Sequence, residues 1–424
     1  MASDTKDDIL PLHGVRVVEL CQTIMGPSCG LVLADLGADV IKVEPAPDGD
    51  KTRRLHGFAA GFFPSFNRNK RSVALDLKSK DGVALAHRLI ATADVVTENY
   101  APGTMERLGC GYDVLSKLNP RLIYCAMKGF LSGPYEKRPA LDEVVQFMAG
   151  LAYMTGPPGR PLRAGASIID IMGGTYGAMG ILAALRDRDR TGKGQFVKSA
   201  LFESTAFLMM QHMAGEVVTG QDTPPMPNRR GAWAVYEVFK TADDDQIFIG
   251  ITSDNHWRRF CQAFGRQDLL DDPTLKTNED RVRSRDRVIP ICTEIFGRHS
   301  KAELSAICEK IEIPFAPVAR PRDLFDDPQL NAHGRLVPTR MPDGTMTKLP
   351  RLPVEIGDHD LGLRRQPPTV GEHTREVLAE LGLDDRAIAD LESRGVIAAG
   401  ARDVARRSSK DGGRTKPAAE GKRI

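Results

Sequence analysis

Residues 164–180 read AGASIIDIMGGTYGAMG, and within them one carboxylate, Asp170, stands inside the apolar run 168–172. Burying an ionised carboxylate is costly unless it is paired, hydrogen-bonded or put to chemical use. Two uses fit. An Asp at the start of a helix caps free N–H groups, and its charge suits the positive helix end. Alternatively, the carboxylate is a nucleophile. Such groups form covalent intermediates when held ionised against an electrophile, and N–H groups at a helix start would hold the anion in place. Gly173, Gly174, Gly177 and Gly180 follow at once, and glycines let a bulky substrate approach the main chain. Residue types alone leave both readings open.

Other chemistries lack their residues. The nine histidines include no H-x-x-x-H and no cluster with cysteines or acids at ligand spacing, so no metal site is expected. No P-loop pattern is present, and no nucleophilic serine is expected. The seven cysteines are odd in number and form no C-x-x-C pair, which argues for reduced thiols rather than a disulfide framework.

The elements that must position Asp170 read as an α/β pattern. VRVVEL (15–20), ADVIKVE (38–44), SVALDL (72–77), DVVTENY (94–100) and RLIYCAMKGF (121–130) have the β-rich composition of strands. CGLVLADLGA and SKDGVALAHRLIATA (79–93) read as helices between them. This alternation predicts an open, largely parallel sheet. No G-x-G-x-x-G follows the first strand, which disfavours a dinucleotide-binding phosphate loop. From Asp142 to about Gly220 the pattern is mostly helical. The Pro-rich stretch QDTPPMPNRRG (221–231) is the clearest boundary. After it, AVYEVFKTADDDQIFIGI reads as a hairpin, 343–356 as another, and two capped helices lie near the end.

Composition is that of a soluble globular protein, with 41% hydrophobic and 27% charged residues and a net charge of +2. Apolar stretches fall short of the ~18 residues of a membrane span. The acidic start MASDTKDDILPL resembles neither a signal nor a transit peptide, so a cytoplasmic location is the default. Residues 401–424 hold 8 Lys/Arg against 3 Asp/Glu. With almost no large apolar residues, that basic tail is expected to be disordered.

Several patches, in order, make the sequence similar to the class III CoA-transferases, the group of formyl-CoA transferase and carnitine CoA-transferase. They are LHGVRVVELCQTIMGPSCGLVLADLGADVIKVEP, NRNKRSVALDLKS (67–79), ENYAPGTMERLG (98–109), TGKGQ (191–195) and GEHTREVL (371–378). The likeness runs from about Leu12 to Val396. It implies that Asp170 is the nucleophile. The carboxylate attacks an acyl-CoA thioester, an aspartyl-CoA forms by way of a mixed anhydride, and an acceptor acid reverses the steps. Backbone N–H groups near Gly173 and Gly174 would stabilise the oxyanions. No cofactor is permanently bound, and the CoA thioester enters as substrate.

The resemblance also places CoA contacts on Asn99, Tyr100 and Arg107. The cationic pair Lys70 and Arg71 is a candidate for the CoA phosphates, with Lys128 and Phe130 as further candidates. Related CoA racemases keep a His-Asp pair where this chain has Leu141 and Asp142. Proton transfer at an α-carbon needs two positioned acid/base groups, so the lost His argues against racemisation. Formyl-CoA transferase has an aromatic-Glu pair there, which leaves Asp142 as either a second acid in the site or a helix cap. The glycine-rich loop of the oxalate-specific enzyme is missing, which points instead to small dicarboxylates with succinyl-CoA as donor. Arg229 or Arg230 would then meet a distal carboxylate. The alternative function is a CoA-ester racemase or epimerase on the same scaffold.

The implied architecture is a large Rossmann-like domain (12–220), a linker (221–231), a smaller inserted α+β domain (232–330), a return to the large domain (331–398) and the tail (399–424). Two chains would interlock as rings in a homodimer. No nucleic acid or membrane partner is expected.

Overall fold

The computed structural model describes residues 9–228 and 231–400. The chain forms two compact units, one built from Met1–Gln221 and Gly334–Ile424, the other from Asp222–His333. The basic tail and the arginines at 229 and 230 lie outside the described residues.

The first unit is a seven-stranded sheet. Its strands are β1 (Arg16–Leu20), β2 (Asp39–Pro45), β3 (Lys70–Leu75), β4 (Val95–Glu98), β5 (Ile123–Lys128), β6 (Phe196–Ala200) and the terminal β12 (Ile397–Ala398). The spatial order is β12-β3-β2-β1-β4-β5-β6. All pairs are parallel except β12, which runs antiparallel to β3 with Ile397 opposite Leu75. The strand order reverses between β1 and β4, which pair as Val17 with Val95 through Leu20 with Glu98. Such a reversal opens a crevice at the carboxyl ends of the strands, where ligands of open α/β sheets bind.

Helices cover both faces, so the inner strands read as continuous apolar runs. On one face α1 (Met25–Asp35) and α4 (Ile168–Thr191) pack with Val17, Val40, Val95 and Met127. On the other, α2 (Lys80–Ala91) and α6 (Thr374–Glu380) bury Leu85, Leu89, Val377 and Leu378 against Val18, Ile41 and Val73. Two further helices, α3 (Asp142–Met148) and α5 (Leu201–Thr219), lie beside α4. Ser79 caps α2 by accepting the Gly82 N–H at 3.0 Å.

Three readings of the sequence need correction here. The helix read from Cys29 begins four residues earlier, at Met25, so Gly26 and Pro27 lie in the first turn of α1, where a proline loses nothing by lacking its N–H. The stretch 196–200, counted within a helical region, is strand β6. Helix α4 is long and apolar enough to cross a bilayer, against the expectation that no stretch is; here Ile169, Ala178, Ile181, Ala184 and Leu185 join the core.

The second unit has its own core of Trp257, Phe260, Leu275 and Phe296 under a three-stranded antiparallel sheet. Its hairpin is β7 (Val235–Lys240) with β8 (Gln246–Ile251), and β9 (Phe315–Pro317) adds to β8. The hairpin expected at 343–356 is β10 (Leu336–Arg340) with β11 (Met346–Pro350), in the first unit.

Candidate active site

Asp170 occupies the first turn of α4, and Ser167 ahead of that helix supplies no side-chain cap. The cap comes from another element. Asp142 begins α3 and is 4% exposed. Its Oδ2 accepts the Ile169 N–H at 2.8 Å and the Asp170 N–H at 3.0 Å. These are donors that a helix start leaves without an intrahelical partner. Oδ1 accepts from Gln146 Nε2, one turn along α3. Gln146 is fully buried, and its Oε1 accepts the Ala164 N–H at 2.9 Å. Arg163 pairs with Glu143 at 3.1 Å and stands 4.0 Å from Asp142.

The Asp170 side chain is half-buried. Burial, then the negative charges of Asp142 and Glu143, push its pKa up to about 7, and no hydrogen bond from the described residues offsets them. A carboxylate made more basic in this way is a stronger nucleophile once ionised, and perturbed acids of this kind mark functional sites.

Gly173 and Gly174, expected to leave room for a thioester and to supply oxyanion donors, do something else. A Cβ on Gly174 would stand 2.4 Å from the Met25 carbonyl oxygen and 3.0 Å from the Cys29 nitrogen. A Cβ on Gly173 would meet Met25 Cε at 2.5 Å. The close approach is therefore between α4 and α1. Both N–H groups sit inside α4, where the ladder to the residue four back uses them.

The candidate CoA residues divide. Asn99, just past β4, clips the loop after β1: its Oδ1 accepts the Gln22 N–H at 2.9 Å and its Nδ2 donates to the Gln22 carbonyl at 2.7 Å. This clip spans the point where the strand order reverses. Lys128 ends β5 and donates to Glu98 Oε2 and the Tyr100 carbonyl, each at 2.7 Å. It holds the Tyr100 turn. Tyr100 is half-buried, and Arg107 is exposed, donating to Thr104 Oγ1 at 2.9 Å. A cavity of about 580 Å³ is lined by Glu98, Gly103, Tyr112, Lys128 and Phe196, beside the short helix of Arg107. Asp170 does not line it.

The other three belong to the framework. Phe130 is 2% exposed and packs against Tyr135 and Phe202. Lys70 is fully buried, with Nζ on Glu19 Oε2 at 2.7 Å, the Pro27 carbonyl at 2.9 Å and Asn67 Oδ1 at 3.1 Å. Arg71 pairs with Asp39 and Glu376 at 2.6 and 2.9 Å, and also with Glu380. Asp39 and Arg71 lie at the starts of their strands, the end of the sheet opposite Asn99 and Tyr100. Neither cation is available to a phosphate at the carboxyl ends. Burying Lys70 without such partners would be prohibitive, which is why its three acceptors are in place.

Residues 26–30, GPSCG, have the G-x-S-x-G spacing of a nucleophile elbow. Ser28 is 4% exposed inside α1, its hydroxyl donating to the Ile24 carbonyl at 2.5 Å, so it presents no nucleophile. All seven cysteines are free and buried. Gln146, Arg163 and Gln22 escaped the sequence reading. Only Gln146 left a sign there, four residues after Asp142 on one helix face.

Residues 12–374 match the model of CoA-transferase family III. The succinate–glutarate CoA-transferase of Agrobacterium fabrum is 36% identical over 388 residues, covering 89% of this chain and 97% of its own. Human succinyl-CoA:glutarate CoA-transferase is 33% identical over 399 residues, covering 92% of this chain and 91% of its own. The crystal structure of a CAIB/BAIF family protein from Brucella suis matches with a TM-score of 0.79 at 34% identity, over 88% of this chain and 99% of that one. The matched span contains Asp170, its cap and the switch-point clip, and the chain belongs to CoA-transferase family III.

Proposed function

We propose that this enzyme, an acyl-CoA:carboxylate CoA-transferase, moves CoA from succinyl-CoA to a small dicarboxylate through a covalent aspartyl-CoA on Asp170. The observation that carries the reading is Asp170 itself: a carboxylate with no hydrogen-bonded partner among the described residues, at a helix start capped by a second carboxylate. The succinate and glutarate in the names of the relatives support the substrate class.

The Asp170 carboxylate attacks the thioester carbonyl carbon. A C–O bond forms, the C–S bond breaks, and CoA thiolate leaves a mixed anhydride. The thiolate then attacks the aspartyl carbonyl of the anhydride, releasing succinate and leaving aspartyl-CoA. The acceptor carboxylate attacks that thioester, and the thiolate, freed again, takes the new acyl group. No proton is gained or lost overall, and the thioester energy is conserved. The steps call for neither a metal nor a redox cofactor.

Tyr100 and Arg107, at the carboxyl end of β4, are assigned to CoA, with Arg107 as a phosphate partner. A racemase is disfavoured, because Leu141 offers no proton where such chemistry needs one. A second copy of the chain is assigned to the apolar face formed by Val144 and Phe147 of α3 with Phe207, Met210 and Met213 of α5, all exposed.

The test is incubation with succinyl-CoA and a panel of acids, following new CoA thioesters by mass spectrometry. Transfer to at least one dicarboxylate is expected, with hydroxylamine trapping Asp170 as its hydroxamate. Full transfer activity in Asp170→Ala would refute the nucleophile.

A further inference from the structure

We infer that Asp142, clamped by Gln146, is a positioning residue that sets the entry turn of α4 and thereby the point from which Asp170 reaches the thioester. The inference rests on the reading of Asp170 as nucleophile. Three observations carry it. First, α4 has no cap of its own; both N–H groups at 169 and 170 close on Asp142. Second, the two Asp142 oxygens accept three N–H groups in a 4% exposed site. A carboxylate engaged in that way is an acceptor that holds shape, with no donor role toward substrate. Third, Gln146 reads both partners: its amide nitrogen donates to Asp142 and its oxygen accepts from Ala164. The segment 164–170 is thus docked on α3 at both ends.

The charges that face Asp170 belong to the same assembly. Asp142 and Glu143 come from α3, and Arg163, paired with Glu143, comes from the segment leading into α4. The turn of α1 packed on Gly174, Met25–Cys29, carries no charged side chain. Glu203, in the first turn of α5, is occupied by the Leu131 N–H at 3.1 Å. Asp142 therefore supplies geometry and a negative potential at once, and two substitutions separate them. An Asn at 142 keeps an oxygen for the two N–H groups and removes the charge, but its Nδ2 then meets Gln146 Nε2 donor to donor and the clamp is lost; an Ala removes all three.

The experiment measures kcat, KM and the pH profile of kcat/KM for full-length wild type, Asp142→Asn, Asp142→Ala and Gln146→Met, with succinyl-CoA and glutarate as probes. The aspartyl-CoA adduct is followed by intact mass. Asp142→Ala is expected to lower kcat about 100-fold, the scale of a displacement near 1 Å, with KM for succinyl-CoA nearly unchanged. Asp142→Asn, which keeps the cap and loses the clamp, is expected to recover part of kcat and to move the acid limb of the profile to lower pH. Gln146→Met, which loses the clamp and keeps the charge, is expected to match the kcat of Asp142→Asn with the acid limb left in place. An Asp142→Asn as inactive as Asp142→Ala, with its acid limb unmoved, would overturn the inference in favour of a reacting acid. Wild-type kcat in Asp142→Ala would overturn it outright. If Asp142→Ala does not fold, Asp142→Asn decides by its kcat and pH profile. A wild-type enzyme that forms no adduct, with Asp170→Asn still turning over, would instead remove the nucleophile reading beneath it.

Discussion

Asp142 Oδ2 lies 2.8 Å from the Ile169 nitrogen and 3.0 Å from the Asp170 nitrogen, so one carboxylate holds the main chain of the other. The two acids are close enough to repel, yet among the described residues only Asp142 has hydrogen-bonded partners. The repulsion falls on Asp170, with no such partner there to offset it.

The first prediction concerns pH and rate. With the Asp170 pKa raised to about 7 by burial and by Asp142 and Glu143, the nucleophile is protonated below neutrality. The profile of kcat/KM should therefore rise through an acid limb near pH 7 in the free enzyme. Steady-state assays from pH 5 to 9 check this; a limb near pH 4 would contradict it.

The second concerns stability and follows from the same shift with its sign worked through. The folded state binds the Asp170 proton more tightly than the unfolded chain does. Stability from this group is complete below the unfolded carboxylate range and is lost as pH rises through about 7. Asp170→Asn should thus abolish transfer and still stabilise the fold at pH 8, by roughly 1–3 kcal/mol, with the gain shrinking toward pH 5. Thermal melts of both proteins at the two pH values give the answer.

The third uses the helix crossing. Gly174→Ala would drive a Cβ to 2.4 Å from the Met25 carbonyl oxygen, a main-chain atom that cannot swing aside. A loss of about 1–3 kcal/mol is expected from such overpacking, with kcat falling because the turn carrying Asp170 moves. Gly215→Ala in α5, where nothing lies within 4 Å, is the control and should stabilise by about 0.5–1 kcal/mol. Urea denaturation of the pair discriminates.

The fourth separates framework cations from ligand cations. Lys70→Met should cost about 3 kcal/mol, because it strips Glu19 of one of two buried partners, and should leave KM for succinyl-CoA nearly constant. Arg107→Ala should do the reverse, raising that KM about 10-fold, the effect of losing one charge-assisted phosphate contact, with an unchanged melting temperature. A Lys70→Met that folds normally and binds CoA poorly would restore Lys70 as a phosphate ligand.

Much of this fold was legible in the residues. The runs at 15–20, 38–44 and 121–130 became β1, β2 and β5 because continuous apolar strands between helices have few other homes. Strand β6 was not legible. Its five residues, FVKSA, sit between two long helices and carry too short a pattern to declare a period. At the site, the order of motifs singled out Asp170. What sequence could not separate was a cation lying near a ligand from a cation holding the scaffold. Lys70 and Arg71 are neighbours in sequence, yet alternation sends one to Glu19 in the interior and the other to Asp39 at the strand starts. Asp142 illustrates the same limit. A cap was one of its two readings, beside a second acid in the site, but the helix it caps begins 26 residues further along, a long-range contact that no local window contains.

The Gln22–Asn99 clip divides the two positions by what substitution they tolerate. Residue 22 contributes only its main-chain N–H and carbonyl, so its side chain is free to change without loosening the crevice. Residue 99 must present a donor and an acceptor on one short, planar group, which Asn does; Asp lacks the donor and Gln adds a methylene. Drift in this enzyme should therefore be permitted on the β1 side of the switch point and arrested on the β4 side, so that the two banks of one crevice evolve at different speeds.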